Sequence, residues 1–473
     1  MTRVLLRRLR SRIAGAAVAL DARTRPEPIA LSAALARRWA ELPEGVRGPG
    51  QMLGRRVSGC EGTQGVFPRC NLACTPCYHS RDANRVPVDG AHTVRELRAQ
   101  MRLLNRLRGP GQPAQLIGGE VTLLGPEHHA AALRVMLEEG RIPMSFSHGD
   151  FDEDYLRALA LDPVSGRPRF RHLAFAGHFD MTMRGRRGAG RPRSEADLHD
   201  ARAAFVDMFA RLRREHGVTS YLAHNMTVTP DNLDQVPEVA DSARRLGFRM
   251  LSFQPAAYVG NPARWGEGYR GVTQEDVWSR IEAGVGARLH HRSIRYGDPR
   301  CNRTAYGGFV GDRYWTLLDD DDPRDLRALE SFLASFGGMS FAQPVHRLAP
   351  RVVRAVARHP RVVPRLGGVA WRVARRMGGP LPMLRDRPVA TTFVVHSFMD
   401  ARVVRPAWDG LERGESSDDP EVAAAQERLR ACSYAMAHPE EGRVVPACVQ
   451  HAVYDPDQNR RLAVELAARR ARR

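Results

Sequence analysis

The chain has 473 residues, 43% of them hydrophobic, with a formal charge of +19 and seven cysteines. This length and apolar content exclude a globally disordered chain and suit two or three domains, or one large enzyme core with appendages. All 72 basic residues are arginine, which excludes lysine Schiff-base chemistry, lysine-held pyridoxal phosphate and a P-loop.

The first predicted element is an amphipathic helix. Leu5, Leu9 and Ile13 recur every four residues between Arg7, Arg8, Arg10 and Arg12, within a basic N-terminal segment, 1–58. The apolar run from Ile13 to Leu20 ends at Asp21 without a convincing cleavage site, and no run approaches the ~20 apolar residues that span a bilayer. With an odd cysteine count, this predicts a cytoplasmic chain whose thiols are reduced or metal-bound.

Next comes Cys70-Asn-Leu-Ala-Cys74-Thr-Pro-Cys77. Three thiolates so closely spaced can ligate three irons of a cubane cluster and leave the fourth iron open. A structural zinc site would need a fourth protein ligand, and His79 is the available one. Gln115-Leu-Ile-Gly118-Gly119-Glu120 reads as a strand running into a glycine pair. The glycines let the backbone approach a ligand, and the carboxylate can pair with an ammonium.

Short apolar runs at 114–118, 143–147, 172–176, 221–228 and 249–254 alternate with helical patterns at 92–107, 127–139, 195–216 and 233–246. The alternation predicts an α/β fold with a parallel sheet, and a ligand site at the C-terminal strand ends. Ser147, His148, His178, Asp180, Asn225, Thr227 and Gln254 fall at those ends. Arginines 184, 186, 187, 191 and 193 follow as a clamp for an anionic head group, or as a solvated loop.

The cysteine spacing, with Gly118-Gly119-Glu120 downstream at the end of a strand, resembles the radical S-adenosylmethionine (SAM) superfamily. The resemblance implies a partial (β/α)6 TIM-type barrel over 59–295, open on one side. It implies a 4Fe–4S cluster on Cys70, Cys74 and Cys77, and SAM held by Gly118, Gly119 and Glu120 with Tyr78, Ser147, Asn225 and Gln254. His178, Asp180, Arg184, Arg186 and Arg187 are then expected on the substrate side. In that superfamily the reduced cluster cleaves SAM to methionine and a 5′-deoxyadenosyl radical, which takes hydrogen from the substrate. A flavodoxin- or ferredoxin-type reductant is implied as partner. The chain departs from the pattern at Pro76, where many members have an aromatic residue; here the aromatic is Tyr78, just after Cys77.

The C-terminal region, 296–473, differs in charge. Segments 1–60, 344–390 and 460–473 carry +8, +10 and +5, so the remainder is net acidic. In 344–390, Val352, Val353 and Val356 alternate with Arg351, Arg354 and Arg358; after breaks at Pro360 and Pro364, Val369, Trp371, Val373 and Met377 interleave with Arg372, Arg375 and Arg376. Such a pattern fits interfacial helices on an anionic membrane, or helices packed on the core with solvated arginines. No nucleic-acid module is recognisable, and no nucleic-acid partner is expected.

Four cysteines remain: Cys60, Cys301, Cys432 and Cys448, each in a loop-like context. Four is the number that closes a second iron–sulfur cluster; buried free cysteines are the alternative. Thr229, Asn232, Phe253-Gln254-Pro255, Phe393-Val-Val-His-Ser-Phe398-Met-Asp400, Cys432 and Val445-Pro-Ala-Cys448 follow in an order similar to the tetraether lipid synthase-like group, over roughly 60–300 and 390–455. That resemblance implies an auxiliary 4Fe–4S cluster in a mixed C-terminal region. It also implies hydrogen abstraction from an unactivated carbon of a membrane lipid or related amphiphile, by an oxidoreductase or C–C bond-forming transferase; the basic amphipathic segments add the expectation of a place on the inner membrane face. The rubredoxin-like metal site and further cysteines of the full lipid synthases are absent. The alternative is a peptide- or protein-modifying radical SAM enzyme with an auxiliary cluster.

Overall fold

The computed structural model describes residues 20–472 other than 80, 189, 260–270 and 342. The basic helix expected around Leu5, Leu9 and Ile13 lies outside the described residues.

The strands are β1 (Cys60–Gly62), β2 (Ala73–Cys74), β3 (Pro113–Leu116), β4 (Ile142–Ser147), β5 (His172–His178), β6 (Met183–Arg184), β7 (Thr219–Val228), β8 (Met250–Pro255), β9 (Asn302–Val310), β10 (Arg313–Thr316), β11 (Val389–His396), β12 (Tyr434–His438) and β13 (Arg443–Pro446). The helices that cover the strands of the first half are α1 (Ile29–Glu41), α2 (Gly90–Arg108), α3 (Pro126–Glu138), α4 (Glu153–Ala160), α5 (His199–His216), α6 (Val236–Leu246) and α7 (Gln274–Val285). The C-terminal half adds α8 (Pro323–Phe336), α9 (Val345–Arg358), α10 (Val362–Arg376), α11 (Pro380–Arg385), α12 (Ala401–Arg413), α13 (Pro420–Arg430), α14 (Ala447–Val449) and α15 (Asp455–Ala471).

One sheet holds eleven strands in the order β10-β9-β11-β8-β7-β5-β4-β3-β1-β12-β13. Pairing is parallel from β11 through to β12 and antiparallel at β9–β11, β9–β10 and β12–β13. The expected parallel run β3-β4-β5-β7-β8 is therefore present, extended at β3 by β1, a strand the sequence does not mark, and the sheet curls into a partial barrel. β11 and β12, from beyond residue 295, extend that run at its two edges. The two edges approach each other, with the ring of His396 on β11 5.9 Å from that of Tyr434 on β12.

Local chemistry explains the elements. Strands covered on both faces can be apolar throughout, and β8 buries Leu251, Ser252 and Phe253 in succession. Behind them Phe175, Phe205 and Phe209 pack ring to ring at 5.1–5.2 Å with planes tilted by 54° and 57°, within the centroid spacing that aromatic pairs favour. Asp89 and Asp152 cap α2 and α4 by accepting the backbone N–H of His92 and Tyr155. Gly217 and Gly247 end α5 and α6 in the left-handed region, where glycine carries no Cβ penalty.

Several boundaries shift from expectation. β3 stops at Leu116 because Gly119 and Glu120 leave the ladder and donate their N–H groups to the carbonyls of Phe67 and Arg69. β5 runs on to His178. The helices expected from 195 and 233 begin at 199 and 236, each after a short 3-10 turn. Pro364 does not break the Arg-rich segment: it sits in the first turn of α10, where its missing N–H has no helical acceptor to lose. Two cysteines read as loop residues lie in elements: Cys60 opens β1, paired with Tyr434, and Cys448 lies in α14.

Candidate active site

The C-terminal ends of the parallel strands surround one cavity of about 100 Å³. Cys70, Cys74 and Cys77 line it with Tyr78, His79, Gly118, Gly119, Ser147, His148, His178 and Thr227. The cysteine loop is held from three sides. The Cys70 N–H donates to Asn84 Oδ1 at 2.9 Å. Cys74 lies on β2, which pairs with β6 after β5, and the Thr75 N–H donates to the Thr182 carbonyl. The third attachment is the glycine segment. A Cβ on Gly119 would lie 2.1 Å from the Arg69 carbonyl oxygen, and one on Gly118 2.8 Å from the Phe67 ring. Only glycines let the chain entering the cysteine loop lie against the end of β3.

Glu120 is fully buried, and its carboxylate is already engaged. Oε1 accepts from the Thr122 N–H at 3.0 Å, the Thr122 hydroxyl at 2.6 Å and the Ser147 hydroxyl at 2.8 Å; Oε2 accepts the His148 N–H at 2.9 Å. It does not line the cavity; the backbone of Gly118 and Gly119 does. The Asp150 N–H donates to His148 Nδ1, so Nε2 carries the ring proton. Nε2 donates to Asn71 Oδ1 at 2.9 Å and lies 3.3 Å from Glu120 Oε2. Burial pulls the His148 pKa down, which suits this neutral ring. Glu120 thus reaches the cysteine loop through His148 and Asn71.

On β5 and β7, His178 lines the cavity, and its Nε2 donates to the buried Asp180 at 2.6 Å. Burial alone would raise Asp180, but His178, Thr182 and the Thr227 N–H together hold it below the usual carboxylate range. Asn225 lies two residues before Thr227 on the same face of β7, one step deeper, and Gln254 is the register partner of Thr227 on β8; neither lines the cavity. Of the expected arginine clamp, Arg186 is buried and tied to the carbonyls of His148 at 2.6 Å and His178 at 3.1 Å. Arg187 is engaged by Asp150, and Arg184 is exposed on β6. Only Arg186 is therefore drawn inward, where it locks two strand ends together, while Arg184 and Arg187 stay at the surface.

Sequence reasoning missed Asn71, Thr182 and the groups behind Tyr78. Tyr78 stacks on Phe398 at 6.2 Å and meets His451 at 4.4 Å. His79 bonds the Gly118 carbonyl and faces Asp455 at 3.8 Å, and His451 bonds Asp455 at 2.7 Å. Both nitrogens of His79 are thus turned toward Gly118 and Asp455. A one-turn π-helix, Gln450–Tyr454, sets this geometry, and no local sequence signal marks it.

Behind the cavity, Glu195 and Arg202 form a fully buried pair at 2.5 Å. Arg202 also donates to the Phe179 carbonyl and to His224, and Glu195 accepts from the Met181 N–H and Asn232. Glu195→Gln should lower unfolding stability by about 3–5 kcal/mol, because it leaves a buried guanidinium uncompensated. A denaturant midpoint unchanged from wild type would refute this.

Of the other four cysteines, Cys432 bears on both Cys301 and Cys448. Burial pushes Cys448 up strongly, and the charges of Cys432 and Cys301 add to it. Burial raises Cys301 to about 11 against the pull of Arg428, whose Nε donates to its sulfur at 3.1 Å. The Met399 N–H donates to Cys448 at 3.5 Å. Cys60 lies against Gln115 Nε2 at 3.1 Å and is raised to about 12 by burial. Its field and that of Cys432 both act on Tyr434.

No protein-family model and no curated protein matches the chain. Among solved structures, it is similar to SuiB of Streptococcus suis bound to S-adenosylmethionine, with 13% identity over 46% of this chain and 41% of that one, at a TM-score of 0.29. It is similar to anSMEcpe with bound AdoMet, with 17% identity over 50% and 64%, at 0.31. TYW1 with a bound lysine-pyruvate adduct gives 10% identity over 45% and 70%, at 0.30. This chain spans less than half the length of SuiB. At these scores the site stands on its own residues.

Proposed function

We propose that this chain is a radical SAM enzyme. The observation that carries the reading is that Cys70, Cys74 and Cys77 line one cavity with the open backbone of Gly118 and Gly119, at the C-terminal ends of parallel strands. The three cysteines and the glycine pair fit a 4Fe–4S cluster and SAM. When bound, that pair supplies the electron transfer that cleaves SAM and the hydrogen abstraction that follows. The chain's own residues do the positioning. Glu120, through His148 and Asn71, orients the cysteine loop. Tyr78 offers an aromatic face, and Ser147 and Thr227 border the space. His178, its Nε2 bonded to Asp180, presents the rest of its ring to the cavity.

We read the substrate as a membrane lipid or related amphiphile, supported by the basic and apolar exterior of 344–390. Cys301, Cys432 and Cys448, with Cys60 as the fourth ligand, are proposed to hold an auxiliary cluster. Anaerobically reconstituted protein with SAM and dithionite should release 5′-deoxyadenosine; no release would overturn the enzyme reading. Iron should reach about eight per chain, and about four would remove the second cluster. A strain lacking the gene should show an altered lipid mass spectrum. An unchanged lipid profile would shift the reading to the peptide-modifying alternative.

A further inference from the structure

α9 and α10 both pack on α8, and each has more apolar surface than that contact uses. On α9, Leu348, Val352, Ala355 and Val356 face inward against Phe336 and Met339. Val345, Ala349, Val353 and Ala357, spaced four apart, remain exposed. On α10, Val362, Leu366 and Val369 face the core side. Arg372 and Arg376 reach the buried Asp325 at 2.5 and 2.6 Å and fix the rotation of the helix. The opposite face is then Val363, Pro364, Gly367, Ala370 and Trp371, all exposed. α11 adds two more leucines to solvent.

The exposures are large: Trp371 67%, Leu381 78%, Leu384 82% and Val345 79%. Single exposed apolar residues are ordinary, but a Trp and several aliphatics on consecutive helices are not. The arginines divide in two. Arg354, Arg372 and Arg376 are spent on Asp21 and Asp325. Arg365 bonds the Ser331 hydroxyl; Arg347, Arg351, Arg358, Arg361, Arg375, Arg385 and Arg387 have no ion pair among the described residues, and Asp386 is the only acid in 344–390.

We infer that the outward face of α9–α11 docks on an anionic lipid bilayer, with Trp371, Leu381 and Leu384 entering the interface and the unpaired arginines meeting headgroups. An apolar surface with a Trp and uncompensated cations matches a surface that is both apolar and anionic. No helix among the described residues is long and apolar enough to cross a membrane, so the face lies on the bilayer. The inference stands apart from the radical chemistry, because vesicle binding needs neither cluster nor SAM.

The test is flotation of the full chain with vesicles of phosphatidylcholine alone or mixed with phosphatidylglycerol. Wild type should float with the anionic vesicles and be released as salt rises from about 0.1 M to about 0.5 M. The triple variant Trp371→Ser/Leu381→Ser/Leu384→Ser should keep wild-type circular dichroism and lose vesicle partitioning by at least about tenfold. Brominated lipids should quench wild-type tryptophan fluorescence, and Trp371→Phe should remove that quenching. Partitioning of the triple variant equal to wild type would overturn the inference, as would wild type failing to float. Self-association in vesicle-free solution that the triple variant loses would reassign the face to a second copy of the chain. RNA retention lost in that variant would reassign it to nucleic acid.

Discussion

Cys74→Ala should leave a folded chain whose SAM cleavage falls by at least about 100-fold. The side chain is half-buried on a two-strand ladder that pairs Cys74 with Met183 and is tied by the Thr75 N–H donating to the Thr182 carbonyl, which alanine preserves. The loss would therefore be chemical and not structural. A 4Fe–4S cluster held by three thiolates has no spare ligand, and His79 is turned to Gly118 and Asp455. The measurements are iron content, 5′-deoxyadenosine release and a thermal melt on the same preparation. Wild-type 5′-deoxyadenosine release by Cys74→Ala would remove the cysteine loop from the mechanism.

Gly119→Ala should be nearly as damaging by a different route. The new Cβ would stand 2.1 Å from the Arg69 carbonyl oxygen and 2.4 Å from that of Pro68. Both are backbone atoms, so no side chain can swing away. The segment Phe67–Arg69 has to retreat, which opens the Gly119–Phe67 and Glu120–Arg69 hydrogen bonds, each 2.9 Å long. Overpacking and two weakened bonds together predict a loss of about 2–5 kcal/mol. Iron uptake should fall with it, because Cys70 directly follows Arg69. Gly367→Ala is the control: nothing lies within 4 Å of its Cβ on α10, and removing a helical glycine should stabilise by about 0.5–1 kcal/mol. Equal unfolding midpoints for the two variants would refute the steric argument.

The run β3-β4-β5-β7-β8 was legible because its strands carry apolar runs and its helices a 3.6-residue period; β1, Cys-Glu-Gly, carries no such run. β11 and β12 were assigned to a separate C-terminal region because periodicity does not say which sheet a strand joins. The cysteine loop and glycine pair were legible because few chemistries use that spacing. What Glu120 does was not. Its residue type suits an ammonium partner, but here Thr122 from its own following turn and Ser147 and His148 from the end of β4 converge on it. The arginine loop stayed open between a clamp and a solvated loop for a similar reason. Sequence shows five positive charges but not that Arg186 turns inward beneath two strand ends. The roles of His451 and Asp455 depend on a π-helical turn that no local residue preference announces.

The pairing of β1 with β12 sets the order in which this protein can be completed. β1 and the cysteine loop leave the ribosome long before one neighbour of β1, because the register pairs Cys60 with Tyr434. Until then β1 has an open edge able to pair with the wrong strand. Contacts this distant in sequence slow folding and lengthen exposure to aggregation. The thiols of Cys60 and Cys432 stay apart for the same interval. Any group bridging them can close only once Cys432 has been made, and a chain cut short before Tyr434 keeps the edge open.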